Sequence, residues 1–202
     1  MLQDRILQIA TELFLTQGFA ATSIEAVAAR SRISKRTFYR RFKDKAALFE
    51  AVVRHLVARW TPPVEARLHG AEPLADVLRH AAEQILAIAL SPEAIALHRV
   101  VMAEAPRFPA LAQVMYETGT KEGVARIGRL LDRAAAAGEI AISDARFAAE
   151  QFLSMVVAVP QRRALGFGPA LAETELRLWA ARTVGLFLHG CRAPAEHGGE
   201  SR

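Results

Sequence analysis

Apolar residues recur every three to four positions along nearly the whole of this 202-residue chain, and stretches that alternate apolar with polar residues are almost absent. That periodicity predicts an all-α protein. Stripes and punctuation together place helices near residues 3–17, 23–30, 35–42, 45–60, 73–90, 92–105, 109–117, 119–137, 144–159 and 172–190. Several starts carry cap signals. Thr22 with Glu25 has the spacing of a capping box, and Ile33, Ser34 and Phe38 have that of a hydrophobic staple around a serine cap. Leu90, Ser91, Pro92 and Ile95 repeat the staple, as do Ile142, Ser143 and Phe147. Consecutive prolines at Thr61-Pro62-Pro63 stop the helix before them. They mark the seam between an N-terminal domain, residues 1–48 with helix 45–60 leading onward, and a larger helical domain, residues 61–192. Residues 193–202 read as a flexible tail.

The turn between helices 23–30 and 35–42 is too short for anything but two helices crossing steeply, the helix-turn-helix arrangement. Ala28 supplies the small residue that the crossing needs, and Val27, Ile33, Phe38 and Phe42 supply apolar surroundings. At about 100° per residue, Phe38 and Phe42 share the buried side, while Arg36 and Arg40 fall about 160° and 200° from Phe38 and face outward. Thr37 and Lys43 lie beside them, with Tyr39 on the flank.

Charge changes this picture from a helix pair into a candidate site. Residues 30–45 hold eight Arg or Lys and one Asp, a net of +7 in a chain whose total is +5. Residues 1–60 net +6 and residues 61–202 net −1, so a basic module joins a neutral one. A basic run is ordinarily a solvated surface. Here Lys35, Arg36 and Lys45 fall in the first turns of helices, where the macrodipole disfavours a cation by about 0.3–1 kcal/mol each. Cations and unpaired N–H groups at one helix end form a site for an anion such as phosphate. The basic side chains also alternate with anchored aromatics, and a helix presenting Arg and Lys fits the DNA major groove.

Other chemistries find little support. A single cysteine, Cys191, excludes an internal disulfide and a cysteine metal site. The six histidines are scattered, and only His80 with Glu83 has ligand spacing on one helix face. No glycine-rich phosphate loop occurs, since Gly166-Phe167-Gly168-Pro169 reads as a linker. No enzyme, metal or cofactor is expected. Asp4 stands where a signal peptide needs basic and then apolar residues, and no apolar run reaches membrane length, so a cytoplasmic protein without membrane contact is expected.

The stretch from Gly18 to Val53 resembles the DNA-binding domain of the TetR/AcrR family of bacterial transcriptional regulators. The match runs through Gly18-Phe19, Thr22-Ser23-Ile24, Val27-Ala28, Ile33-Ser34, Thr37-Phe38-Tyr39, Phe42, Lys45 and Leu48. Residues 98–119 (HRVVMAEAPRFPALAQVMYETG) and 138–156 (GEIAISDARFAAEQFLSMV) are similar to the C-terminal domain of the AefR-like subgroup. The resemblance implies an N-terminal helix-turn-helix domain of three helices joined to a helical ligand-binding and dimerisation domain. It implies that Thr22, Ser23, Tyr39 and Lys45 hold DNA phosphates, that Lys35, Arg36, Thr37 and Arg40 touch base edges, and that Ser34 belongs to the same DNA-binding set. One departure is Arg32, at a turn position where the family usually has glycine.

The implied function is a homodimeric repressor that binds a palindromic operator in double-stranded DNA and is released by a small, largely apolar effector. An activator or a ligand-independent nucleoid-type protein is the alternative. Trp60, His98, Met102, Phe108, Met115, Tyr116, Phe152 and Met155 are candidates to line the effector pocket, with Arg99 and Glu104 near enough to orient a polar group. One recognition helix reads only a few base pairs, so specificity calls for a dimer. Phe147, Phe152, Val156, Leu176, Trp179, Val184 and Phe187, on the last two helices, form stripes that suit either a dimer interface or a core.

Overall fold

The computed structural model describes residues 2–60 and 72–190, leaving the expected seam at Thr61–Pro63 and the tail outside. Among the described residues every element is helical. In order they are α1 (Leu2–Ala21), α2 (Ile24–Arg30), α3 (Lys35–Tyr39), α4 (Lys45–Trp60), α5 (Leu74–Ala89), α6 (Pro92–Glu104) and α7 (Pro109–Met115). A π-helical turn (Tyr116–Thr120) then runs directly into α8 (Lys121–Ala136), followed by α9 (Ala145–Ala164) and α10 (Glu173–Gly190).

Two caps lie one residue later than the sequence spacing implies. Ser23, not Thr22, accepts from Ala26 N at 3.0 Å; Asp144, not Ser143, accepts from Phe147 N at 2.9 Å. Ser34 and Ser91 cap as expected, accepting from Thr37 N and Ala94 N. Gly18, at φ 84°, breaks α1 before its last residues, a conformation that favours glycine. Helix α3 stops at Tyr39, shorter than its apolar spacing implies, with Arg40 as its C-cap.

By contrast α9 continues past the expected end through Pro160. Proline has no N–H, so the Val156 carbonyl one turn earlier loses its usual helical donor. The Trp179 indole of α10 supplies another, Nε1 donating to Val156 O at 3.0 Å.

The apolar interior forms two clusters. The first joins α1–α4 to α6 and α7 around Phe14, Phe38, Phe49 and Leu56, with Leu97, Val100 and Leu111 packed in. Phe14, Phe38 and Phe49 are fully buried, each contributing about 1.5–3 kcal/mol. The second joins α5, α8, α9 and α10 around Leu78, Leu86, Leu131, Phe152 and Val156. The sequence pattern alone does not foretell that α6 and α7 belong with the first cluster.

The α2–α3 turn is a Schellman motif. Arg32 N donates to Ala29 O and Ile33 N to Ala28 O, both at 3.0 Å, and Arg32 takes the left-handed position at φ 52°. The same bonding closes α8 around Gly138 and α9 around Gly166. Glycine holds that position at no steric cost, whereas a side chain there costs about 1–2 kcal/mol. The departure at Arg32 is therefore borne as strain.

Candidate nucleic-acid interface and ligand cavity

Val27 and Ala28 of α2 are buried against Phe38 and Phe42, which fixes α3 across α2 and turns its opposite side outward. Tyr39 is 52% exposed, its ring edge-on to Phe38. Ser23, Ser34, Lys35, Arg36 and Arg40 are exposed and Thr37 is half-buried, its hydroxyl 3.0 Å from that of Ser34. Arg36, Arg40, Arg41 and Lys43 form no ion pair among the described residues. Arg41 and Lys43 are exposed just beyond the early end of α3, Lys43 as the helical spacing implies.

The cations that seemed misplaced at helix starts mostly have partners within the chain. Lys45 reaches back from α4 to the end of α1, where its ammonium donates to the carbonyls of Phe19 (2.7 Å), Ala20 (3.1 Å) and Thr22 (3.0 Å). Three donors meet three acceptors. It also lies 4.6 Å from the centre of the Phe19 ring. Those carbonyls form the negative end of the α1 dipole, so the site favours the cation. Desolvation pushes the Lys45 ammonium below its usual pKa, opposed by the charge of Glu104. Lys45 is thus engaged internally, so a phosphate contact from its ammonium would have to compete with these three bonds. Lys35 pairs with Glu25, whose carboxylate holds the ammonium above its usual pKa. Thr22 is 1% exposed and its hydroxyl donates to Gly18 O at 2.8 Å, so its side chain is unsuited to phosphate.

Behind this face lies a cavity of about 700 Å³ walled by α5, α6, α7, α8 and α9, with Val57 of α4 reaching into it. Its size lies within the range of small-molecule sites. Of the sequence candidates, His98, Met102, Met115 and Tyr116 line it. Met102 and Tyr116 are 65% and 44% exposed and stand at its edge. Desolvation pushes His98 below the usual histidine pKa, favouring the neutral ring. The π-helical turn contributes Tyr116, Thr118, Gly119 and Thr120 to the wall. Such turns recur at functional sites.

The remaining pocket candidates lie elsewhere. Phe108 packs edge-on against Phe19 of α1 with ring centres 5.0 Å apart. Phe152 is fully buried against Phe187. Met155 lines a separate hollow of about 400 Å³ with Phe147, Leu186 and Phe187. The side chain of Trp60 is outside the described residues. Arg99 and Glu104 are used internally, donating to Ala164 O and accepting from Ala20 N respectively. The spacing could not tell a wall facing a void from one facing another helix, and Ile85, Ile88, Leu130 and Val157 are lining residues it missed.

Of the dimer candidates, Phe152, Val156, Val184 and Phe187 are buried within one chain and therefore belong to its own core. Trp179 and Leu176 are half-buried. Phe147 remains 58% exposed, joined by Leu178 at 49% and Leu186 at 68% on α10. The latter two were missed because the stripe chosen from the sequence was the inward one.

Among the described residues no three His, Cys, Asp or Glu side chains group as a metal site, and His80 is bonded instead to Gln84, 2.8 Å away. No single described helix is long and apolar enough to cross a membrane, and α5 with α6 reaches that composition only across a 64° bend.

A small helix-turn-helix head on a helical body with an internal cavity is the architecture of ligand-sensing bacterial regulators. Residues 6–52 match the family described as bacterial regulatory proteins, tetR family, and residues 76–190 match the AefR-like transcriptional repressor C-terminal domain: the chain belongs to the TetR family. It is a DNA-binding transcriptional regulator rather than an enzyme. The HTH-type transcriptional repressor Rv3405c of Mycobacterium tuberculosis is 41% identical over 79 residues, 39% of each chain. TcmR of Streptomyces glaucescens is 28% identical over 134 residues, 64% of this chain and 58% of that one. The chain thus spans less than two thirds of the length of these curated relatives. Solved structures match throughout. A TetR-family regulator of Mesorhizobium loti shares 28% identity at a TM-score of 0.84, covering 95% of this chain and 97% of that one. The flavonoid-responsive regulator FrrA shares 32% identity at 0.79, covering 96% and 98%.

Proposed function

We propose that the chain is a homodimeric, cytoplasmic repressor that binds a palindromic operator through the outward face of α3 and leaves it when a small, largely apolar molecule enters the cavity. The observation that carries this reading is the course of α4. At its start Lys45 is fastened to the end of α1 in the reading head, and towards its other end Val57 forms part of the cavity wall. Movement of the wall therefore moves the head. A second link runs from α6, which carries His98 and Met102 and ends at Glu104, whose carboxylate accepts from Ala20 N at 3.0 Å. Phe108, just beyond, rests on Phe19.

Arg36 and Arg40 would contact base edges, with Lys35 and Thr37 beside them, while Ser23, Ser34 and Tyr39 would hold phosphates through their hydroxyls. Phe147, Leu178 and Leu186 would meet a second copy across α9 and α10, giving two recognition helices about 34–36 Å apart. The flavonoid response of FrrA makes planar, hydroxyl-bearing aromatics the first effectors to screen.

The test is selection of duplexes from a random pool, followed by fluorescence anisotropy with the selected duplex and sedimentation of the free protein. Expected are one preferred palindrome, two chains per duplex, and its release by a compound that also protects the protein thermally. Equal affinity for random DNA, or a monomer at all concentrations, would overturn the reading.

A further inference from the structure

We propose that Arg32, in the turn ahead of the recognition helix, is a DNA-backbone contact. The inference rests on the DNA-binding reading above and adds to it a residue outside α3. Among the described residues three Schellman turns share one bonding pattern; two place glycine in the left-handed position, at Gly138 and Gly166, and the third places Arg32 there at φ 52°. Stability alone favours glycine at all three, so the strained side chain is retained for something the fold does not use.

The charges around it narrow what that is. Arg30, two residues earlier, is neutralised by both carboxylate oxygens of Glu12 at 2.8 Å, and Lys35, three residues later, is neutralised by Glu25. Arg32 lies between them, exposed, and forms no ion pair or hydrogen bond from its side chain among the described residues. Its guanidinium thus stands uncompensated immediately before the helix that presents Arg36 and Arg40. A guanidinium so placed suits a phosphate, which it can bond bidentately. A phosphate contact strengthens binding to every sequence alike and adds to its salt dependence.

The experiment uses the full chain with Arg32→Gly and Arg32→Lys, measured on the selected duplex and on a random duplex across a salt series. Because glycine relieves the strain, Arg32→Gly should raise the thermal midpoint by about 2–4 °C. The same variant should bind both duplexes more weakly and lower the slope of log affinity against log salt by about one unit per Arg32 lost. Arg32→Lys should keep the slope and gain no thermal stability. An Arg32→Gly protein with unchanged affinity and slope would overturn the assignment, as would a loss confined to the selected duplex, which would mean base readout. If the unaltered chain binds no duplex at all, the DNA-binding reading fails and this one falls with it.

Discussion

The two apolar interiors of this chain differ in how fully they are closed. In the first, Phe14, Phe19 and Phe49 meet with ring centres 5.3–5.7 Å apart at the end of the cluster away from α5, while Val57, Val101 and Met115 at its other edge close one side of the cavity. In the second, α5, α8 and α9 pack on α10 by one face and border a cavity of about 700 Å³ by another. A close-packed interior transmits displacement without absorbing it, whereas a wall beside a void can shift at little cost. On the proposed function, stiffness falls to the part that holds the recognition helix in register and compliance to the part that admits the ligand.

The sharpest way to break that comparison is Phe49→Ala. It should destabilise the chain by about 3–5 kcal/mol in urea unfolding, because the ring has neighbours on every side. A loss below about 1 kcal/mol would mean that the first interior can collapse around a hole. Next comes Lys45→Met, which keeps much of the side-chain stem but leaves three carbonyls without their donor. Stability should fall by about 1.5–3 kcal/mol, the worth of hydrogen bonds to a charged group. The salt slope of DNA binding should not change. A slope reduced by about one unit with stability intact would return Lys45 to the phosphate backbone. The smallest effect belongs to Ile85→Ala on the cavity wall, about 1–2 kcal/mol, since the side chain already borders open volume. A loss as large as that of Phe49→Ala would show the cavity wall to be as rigid as the aromatic cluster.

The reading head was largely legible in the sequence because its signals are local. A serine cap at Ser34, the Phe38–Phe42 spacing and the outward Arg36 and Arg40 all follow from a few consecutive residues. The internal bonds of Lys45 have no such local signal, because its ammonium travels from the start of one helix to the end of another. The strain at Arg32 was legible through the resemblance, which puts glycine at that turn position. In the larger domain periodicity found the helices but not their sides. Phe147 and Phe152 were both candidates for one interface, yet five positions set them about 140° apart around α9, and one is 58% exposed while the other is fully buried against Phe187 of α10. The π-helical turn had no local signal at all.

The bond from the Trp179 indole to the Val156 carbonyl has a consequence for how this chain can vary. Because Pro160 supplies no amide, the Val156 carbonyl takes its donor from a different helix. With proline in place, losing the indole leaves the carbonyl of buried Val156 without a donor; with the amide restored, the indole becomes dispensable. Descendants of this sequence can therefore abandon the pair readily in one order, the proline first, and only at a penalty in the other.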